Sequence, residues 1–170
     1  MAESIVFSLD GRDVEAQAGE TIWQVARREG IDIPHLCYAP EPGYRADGNC
    51  RACMVEIEGE RVLGASCIRK PAPGMVVKTA SERATKARRM VFELLVADQP
   101  PREHAHDAQS SFWRWADRLS VSDSRFPAKL TPGPDLSHPA MAVNLDACIN
   151  CTLCVRACRE VQVNDVIGMA

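Results

Sequence analysis

The stretch PHLCYAPEPGYRADGNCRACMVEIEGERVLGASC, residues 34–67, contains half of the cysteines of this chain. They are Cys37, Cys50, Cys53 and Cys67, so one close pair is flanked by two distant members. Two irons that share two sulfides need two thiolates each, and this spacing suits such a [2Fe-2S] rhomb. Because any four thiolates can also surround one zinc ion, a structural zinc site is an alternative interpretation of the same residues.

The sequence around these cysteines predicts a small sheet with one helix. Five segments have strand-like composition: 4–9, 12–17, 54–57, 61–65 and 75–79. Asp10-Gly11 lies between the first two and predicts a hairpin turn. Thr21 followed by Gln24 is a capping-box pattern, and it predicts a helix that Gly30 closes.

A second group of cysteines lies near the end of the chain, with the spacing Cys148-x2-Cys151-x2-Cys154-x3-Cys158. In bacterial ferredoxins a run of this kind gives three ligands to one [4Fe-4S] cluster and its last cysteine to a neighbouring cluster. We therefore expect Cys148, Cys151 and Cys154 to ligate one [4Fe-4S] cluster and Cys158 to ligate the next. Zinc is disfavoured here, because structural zinc sites usually take two separated pairs of ligands.

Composition excludes several classes of protein. The chain has 170 residues, is 46% hydrophobic and carries a net charge of −3, which supports neither a nucleic-acid binder nor a disordered chain. No segment approaches the roughly 20 apolar residues that cross a membrane, and residues 1–7 lack the basic and apolar regions of a signal peptide. We therefore expect a cytoplasmic protein, and in a reducing compartment spaced cysteines more often bind metal than form disulfides.

The 80 residues between the two cysteine groups predict a connector. Ser81 caps a long helix that ends near Ala97, with an apolar stripe at Ala84, Ala87, Val91, Leu94 and Leu95. Arg88-Arg89 is interpreted as a solvated face of that helix, and His104 and His106 as exposed residues rather than metal ligands. A second helix is predicted over 111–119, and the prolines of residues 125–140 predict an extended linker.

Three motifs of the first module carry a resemblance to a known family: IPHLCY (33–38), NCRACMVE (49–56) and ASC (65–67). They resemble the [2Fe-2S] β-grasp domain of the large iron-sulfur subunit of respiratory complex I, of NAD-linked hydrogenases and of NAD-dependent formate dehydrogenases. The resemblance implies that Cys37 and Cys50 hold one iron and that Cys53 and Cys67 hold the other. Residues 148–160 resemble the first half of that family's two-cluster ferredoxin region.

This chain differs from many relatives in the stretch that follows the long helix. Many relatives carry a His-Pro-x-x-Cys-x-x-Cys-x5-Cys cluster site after the long helix. Here the corresponding stretch is ADQPPREHAHD (97–107), which has no cysteine and has Gln99 in place of the ligand histidine. We expect that cluster to be absent. The motifs ADQP (97–100) and FWRWAD (112–117) resemble most the alpha subunit of cytoplasmic NAD-dependent formate dehydrogenases.

The predicted fold is α+β. It comprises a β-grasp [2Fe-2S] ferredoxin domain (1–80), a helical connector (81–124), a proline-rich linker (125–140) and the first half of a two-[4Fe-4S] ferredoxin-like region (141–170). We expect a fourth cluster ligand to come from residues beyond Ala170 or from a partner chain, which would leave Cys158 reactive in the isolated chain.

The resemblance implies an electron-relay role without a catalytic site in residues 1–170. Formate would be oxidised at a molybdopterin guanine dinucleotide with molybdenum or tungsten, on the same longer chain or on another subunit. The electrons would pass to a partner subunit that binds FMN and NAD. The alternatives are a relay subunit of an NAD-linked hydrogenase or of a complex I-like NADH dehydrogenase, and, from another class, a structural zinc-binding interaction module.

Overall fold

The structure is a computed structural model, and it describes residues 4–130 and 133–169. The described residues form two compact units. One consists of residues within Met1–Arg88 and Thr152–Ala170, and the other of residues within Arg89–Cys151. Of the helices in the described part, none combines the length and the hydropathy needed to span a lipid bilayer.

A five-stranded mixed sheet forms the framework of the first unit. Its strands are β1 (Ile5–Leu9), β2 (Arg12–Ala16), β3 (Met54–Ile57), β4 (Gly64–Ala65) and β5 (Val76–Lys78). Their order is β2-β1-β5-β3-β4. The pair β1 and β5 is parallel, whereas the other neighbouring pairs are antiparallel. This confirms the α+β class and the predicted strands, except that β4 is shorter than the predicted segment 61–65.

The hairpin turn is tied to the residue that follows β5, the strand next to β1. Asp10 and Gly11 have φ angles of 50° and 80°, the two positive values that a type I′ turn requires at its central residues. The Asp10 carboxylate accepts hydrogen bonds from the Thr79 N–H and hydroxyl, both at 2.6 Å. Because Thr79 follows β5, this side chain fixes the β1–β2 turn against the strand that runs parallel to β1.

Helix α1 (Ile22–Arg28) begins at the predicted capping box. The Gln24 N–H donates to the Thr21 hydroxyl at 3.3 Å, and the Thr21 N–H donates to the Gln24 side chain at 2.9 Å. Trp23 donates from its indole nitrogen to the Ile33 carbonyl at 3.0 Å. The chain that leaves the helix toward Cys37 is thereby fastened to the helix itself. Gly30, with φ of 77°, ends the helix as predicted.

The core of this unit lies between the sheet and α1, and it includes two of the cysteines. Its members include Phe7, Leu9, Trp23, Val25, Val55 and Val77, together with Cys53 and Cys67. Side chains in such a core are closely packed and hold defined rotamers. Two of the four sulfurs are therefore positioned by the same packing that stabilises the fold.

Helix α2 (Glu82–Ala97) follows the sheet and has the predicted bounds. Ser81 caps it, because its hydroxyl accepts the Ala84 N–H at 3.2 Å. The predicted apolar stripe is only partly correct. Leu94 is 47% exposed, and Arg88, which we expected on a solvated face, is buried. Arg89, its neighbour, is exposed as expected.

In the second unit, helix α3 (Ser111–Arg118) buries Phe112, Trp113 and Ala116. Phe112 stacks on Phe92 with 5.7 Å between ring centroids. The proline-bearing stretch 125–140, expected to be extended, contains the strand β6 (Asp135–His138), which pairs with β7 (Met141–Val143). Short 3-10 turns lie at Arg102–His104 and Leu145–Ala147.

The end of the chain returns to the first unit. Helix α4 (Leu153–Arg156) continues as a wide π-type turn over Ala157–Val161. This segment carries Cys154 and Cys158.

The capping box makes a measurable contribution to the stability of the first unit. Replacing Thr21 with Ala removes the acceptor of the Gln24 N–H, so we expect the free energy of unfolding to fall by about 1 kcal/mol. The thermal midpoint of the iron-loaded chain should then fall by about 2–8 °C in circular dichroism. Because the two bonds are reciprocal, the double substitution T21A/Q24A should cost less than the sum of the single ones. Strictly additive losses would contradict the capping box.

Candidate metal centres

The fold brings the four cysteines of the first group together at one end of the sheet. Cys37 lies in the loop after α1, Cys50 and Cys53 immediately precede β3, and Cys67 follows β4. Cys37, Cys53 and Cys67 are each 1% exposed, and Cys50 is half-buried. The pairing of β3 with β4 aligns the last two, and the Ser66 hydroxyl fixes the turn by donating to the Cys53 carbonyl at 2.7 Å.

The thiols contact one another in pairs. The pKa of Cys37 depends on Cys50, that of Cys53 on Cys67, and that of Cys67 also on Cys37. The Cys37 N–H also donates to the Cys50 sulfur at 3.4 Å, and the Cys50 N–H donates to the Cys37 sulfur at 3.5 Å. In residues 4–130 and 133–169 no group of three or more His, Cys, Asp and Glu converges on one metal-ion position. The two close pairs are those that the family resemblance implies for the two irons.

Because the thiols lie close together, their pKa values differ: in each pair one is lowered and the other is raised. Hydrogen bonding from Cys50 strongly lowers the pKa of Cys37, and the same contact raises the pKa of Cys50. Hydrogen bonding from Cys67 lowers the pKa of Cys53 to about 7, whereas the contacts with Cys37 and Cys53 raise the pKa of Cys67. Each pair therefore holds one readily ionised sulfur that shares the proton of its neighbour. A bound cation displaces the remaining protons, since metal ions bind the thiolate form.

A buried cation lies beside these sulfurs. Arg88 is 6% exposed, and its Nε donates to the Met54 carbonyl at 2.8 Å. Its Nη2 is buried and has no hydrogen-bond partner among the described residues. Burial lowers the pKa of Arg88, while the charges of Cys53 and Asp10 raise it.

The chemistry of a [2Fe-2S] centre fits this arrangement. A guanidinium stays charged in proteins, and burial without a nearby anion is costly. Four thiolates and two sulfides outweigh the charge of two ferric ions, so such a centre would place an anion at Cys53, the thiol whose charge already raises the pKa of Arg88. We did not predict the burial of Arg88, which lies on the buried face of α2 between Ala84 and Phe92, because its charge argued for a solvated position.

His35, His104 and His106 differ in burial and in their surroundings. His35 is half-buried, its ring meets Trp23 edge-on at 4.6 Å, and burial lowers its pKa. His104 and His106 are exposed. Gln99, which the sequence resemblance places where many relatives are expected to have a ligand histidine, donates to the Cys148 carbonyl at 3.5 Å. The absence of a connector cluster remains a prediction.

The cysteines of the second group are divided between the two units. Cys148 and Cys151 are half-buried at the end of the second unit, and the Asn150 N–H donates to the Cys148 sulfur at 3.4 Å. In the first unit, Cys154 is exposed, whereas Cys158 is 7% exposed and accepts the Val166 N–H at 3.3 Å. The expectation that Cys158 is the reactive thiol is therefore corrected: burial protects it, and Cys154 is the accessible one.

Comparison with known families and structures gives independent matches. Residues 2–82 match the family described as "2Fe-2S iron-sulfur cluster binding domain". A chain in the crystal structure of an NAD+-reducing [NiFe]-hydrogenase in the H2-reduced state superposes with a TM-score of 0.82 at 31% identity. The match covers 99% of this chain and 72% of that one.

Curated relatives come from two kinds of oxidoreductase. One is the NADP-reducing hydrogenase subunit HndD of Solidesulfovibrio fructosivorans, 32% identical over 96% of this chain and 29% of that protein. Another is the mitochondrial NADH-ubiquinone oxidoreductase 78 kDa subunit of Candida albicans, 34% identical over 95% of this chain and 22% of that protein. This chain therefore spans less than a third of the length of these curated relatives.

The predicted ligand set is tested by single replacements. Cys53→Ser removes a core sulfur, so we expect loss of most of the iron of the first centre and a lower thermal midpoint, because metal binding and folding are coupled. Cys154→Ser, at an exposed position, is the matched control and should keep the reduced-state signal of that centre in electron paramagnetic resonance. Full retention of that signal in Cys53→Ser would show that this sulfur is not a ligand.

The buried charge of Arg88 predicts that one substitution will have opposite effects on the stability of the metal-free and the iron-loaded chain. Arg88→Met removes an uncompensated cation from the metal-free chain but removes the counterion from the iron-loaded chain. We therefore expect Arg88→Met to lower the stability of the iron-loaded chain relative to that of the metal-free chain by at least about 1 kcal/mol.

Denaturation measures the stability of the metal-free chain, and the rate of iron loss to a chelator measures the stability of the iron-loaded chain. Arg89→Met, at the exposed neighbour, is the control and should change neither. Equal effects of Arg88→Met on both forms would contradict the assignment of the centre as the partner of Arg88.

Proposed function

Since this chain belongs to the family of iron-sulfur proteins that includes the matched chain of the NAD+-reducing [NiFe]-hydrogenase, we propose that it is an electron-relay part of an NAD-linked oxidoreductase. The observation that carries this proposal is the pairing of Cys37 with Cys50 and of Cys53 with Cys67, near the buried Arg88. We assign Cys37, Cys50, Cys53 and Cys67 as the ligands of a [2Fe-2S] centre. A bound centre of this type supplies storage for one electron.

The residues of the chain contribute geometry and electrostatics to this role. Packing of Cys53 and Cys67 in the core fixes half of the ligand set, so little rearrangement accompanies a change of charge. Burial of three of the four sulfurs keeps water from the centre. Arg88 holds a positive charge near Cys53, and a nearby cation favours the reduced, more negative state.

Within this class we propose the alpha subunit of a cytoplasmic NAD-dependent formate dehydrogenase. The support is in the sequence: the connector residues 97–107 lack cysteine, and the motifs at 97–100 and 112–117 resemble those of that subunit. The pterin site with molybdenum or tungsten would lie on the continuation of the chain or on another subunit. The FMN and NAD sites would lie on a partner subunit.

The second cysteine group completes the proposed relay. Cys148, Cys151 and Cys154 would ligate one [4Fe-4S] cluster, and Cys158 would ligate its neighbour. The hydrogen bonds from the Asn150 and Val166 N–H groups to the sulfurs of Cys148 and Cys158 suit thiolate ligands, because amide donors stabilise negative charge on sulfur.

A relay subunit of an NAD-linked hydrogenase is the second candidate. It is favoured by the TM-score of 0.82 to the NAD+-reducing [NiFe]-hydrogenase chain and by the 32% identity to a NADP-reducing hydrogenase subunit. A complex I-like NADH dehydrogenase is supported by the match to the NADH-ubiquinone oxidoreductase of Candida albicans. A zinc ion on four thiolates has the same net charge as an oxidised [2Fe-2S] centre, so the buried Arg88 does not separate the zinc module from the relay, and metal analysis does.

The candidates are separated by which electron donor reduces the first centre in the native complex. The complex, purified anaerobically, receives formate, hydrogen or NADH in separate samples, and each is frozen for electron paramagnetic resonance and metal analysis. We expect formate and NADH to reduce the [2Fe-2S] centre and hydrogen to leave it oxidised, with molybdenum or tungsten present. Reduction by hydrogen, with nickel present, would favour the hydrogenase. Zinc without iron would contradict the relay altogether.

A further inference from the structure

A second buried arginine connects the two cysteine groups within the first unit. Arg156 is the last residue of α4 and lies between Cys154 and Cys158 in the sequence. Its side chain is 5% exposed. It reaches into the loop that follows Cys37: Nη2 donates to the Cys37 carbonyl, and Nη1 donates to the Arg45 carbonyl at 2.5 Å.

Charge pairs hold this contact in place. Asp47, in the same loop, forms an ion pair with Nε of Arg156 at 3.1 Å and a second with Arg45 at 2.9 Å. Arg45 in turn donates two hydrogen bonds to Oε1 of Glu160, at 3.0 and 3.2 Å. Two cations and two carboxylates therefore alternate between the loop and the segment 152–161, which makes the contact electrically balanced.

Close packing supports the same contact. A Cβ added to Gly43 would lie 3.5 Å from a methyl group of Val161, so the loop backbone and the segment are in van der Waals range. The Asn49 side chain, next to Cys50, donates to the Thr152 hydroxyl at 3.5 Å. The contact thus extends along the loop from Cys37 to Cys50.

We propose that Arg156 is a positioning residue that holds the main chain at Cys37 and raises the reduction potential of the [2Fe-2S] centre. The proposal rests on the proposed [2Fe-2S] site. A fixed cation close to the centre stabilises the added electron, and its hydrogen bond to the Cys37 carbonyl orients that ligand. The segment that carries Cys154 and Cys158 thereby helps to set the potential of the first centre.

The test is a potentiometric titration of the [2Fe-2S] signal, followed by electron paramagnetic resonance, on the full natural chain loaded with its clusters. Arg156→Gln leaves Asp47 without its buried partner, so we expect a more negative midpoint. At the wild-type midpoint the ratio of reduced to oxidised centre should fall about tenfold, which corresponds to about 59 mV for a one-electron couple. Arg156→Lys keeps the charge and should restore most of the shift.

Arg159→Gln is the matched control, because Arg159 lies in the same segment, is exposed and pairs with Asp165. It makes the same change of net charge and should leave the midpoint unchanged. An unchanged midpoint in Arg156→Gln, or an equal shift in Arg159→Gln, would overturn the proposal.

Asp47→Asn provides a test that does not depend on the stability of Arg156→Gln. It removes the carboxylate and leaves the cation, so the midpoint should move in the positive direction. A negative or absent shift would overturn the proposal. If the wild-type chain shows no [2Fe-2S] signal, the proposed function fails. If the signal is present but neither Arg156→Gln nor Asp47→Asn changes its midpoint potential, only this inference fails.

Discussion

The structure depends on one electrostatic constraint. Four sulfurs lie close together at one end of the sheet, and when they are ionised their negative charge must be balanced by cations. In the metal-free chain the thiols of each pair share protons, and the pKa of one falls as that of the other rises. Arg88 is buried beside them, and one of its donors finds no acceptor within the described part of the chain. An anionic two-iron centre would meet both needs at once, because it would replace the protons with iron and place negative charge at Cys53, near Arg88.

The β-grasp framework explains how a short chain keeps such a site in place. The ladder between β3 and β4 fixes Cys53 relative to Cys67, and the indole of Trp23 fastens the approach to Cys37. The loop between Cys37 and Cys50 has little regular structure of its own. It is fixed instead by Arg156, which contributes donors that backbone pairing in a loop does not provide. The order of the ligand loop thus rests on a residue from the far end of the chain.

Much of this architecture follows from local sequence signals. The hairpin at Asp10-Gly11, the capping box at Thr21 and the strand 54–57 each depend on neighbouring residues, and each lies where it was predicted. The ends of strands are less predictable: β4 is limited to the two residues that pair with β3. The roles of Arg88 and Arg156 were not predicted, because apolar periodicity does not anticipate a buried cation. The contact of Arg156 with Cys37 also spans 119 residues of sequence.

The central claim is that the first cysteine group holds two irons rather than one zinc. Mössbauer spectroscopy of the chain reconstituted with 57Fe and sulfide, in a variant whose four C-terminal cysteines are replaced by serine, tests it most directly. The account predicts two equivalent ferric sites in the oxidised state, and one ferric and one ferrous site after one-electron reduction. A single tetrahedral thiolate site without sulfide, or no bound iron in a chain that binds zinc, would contradict it.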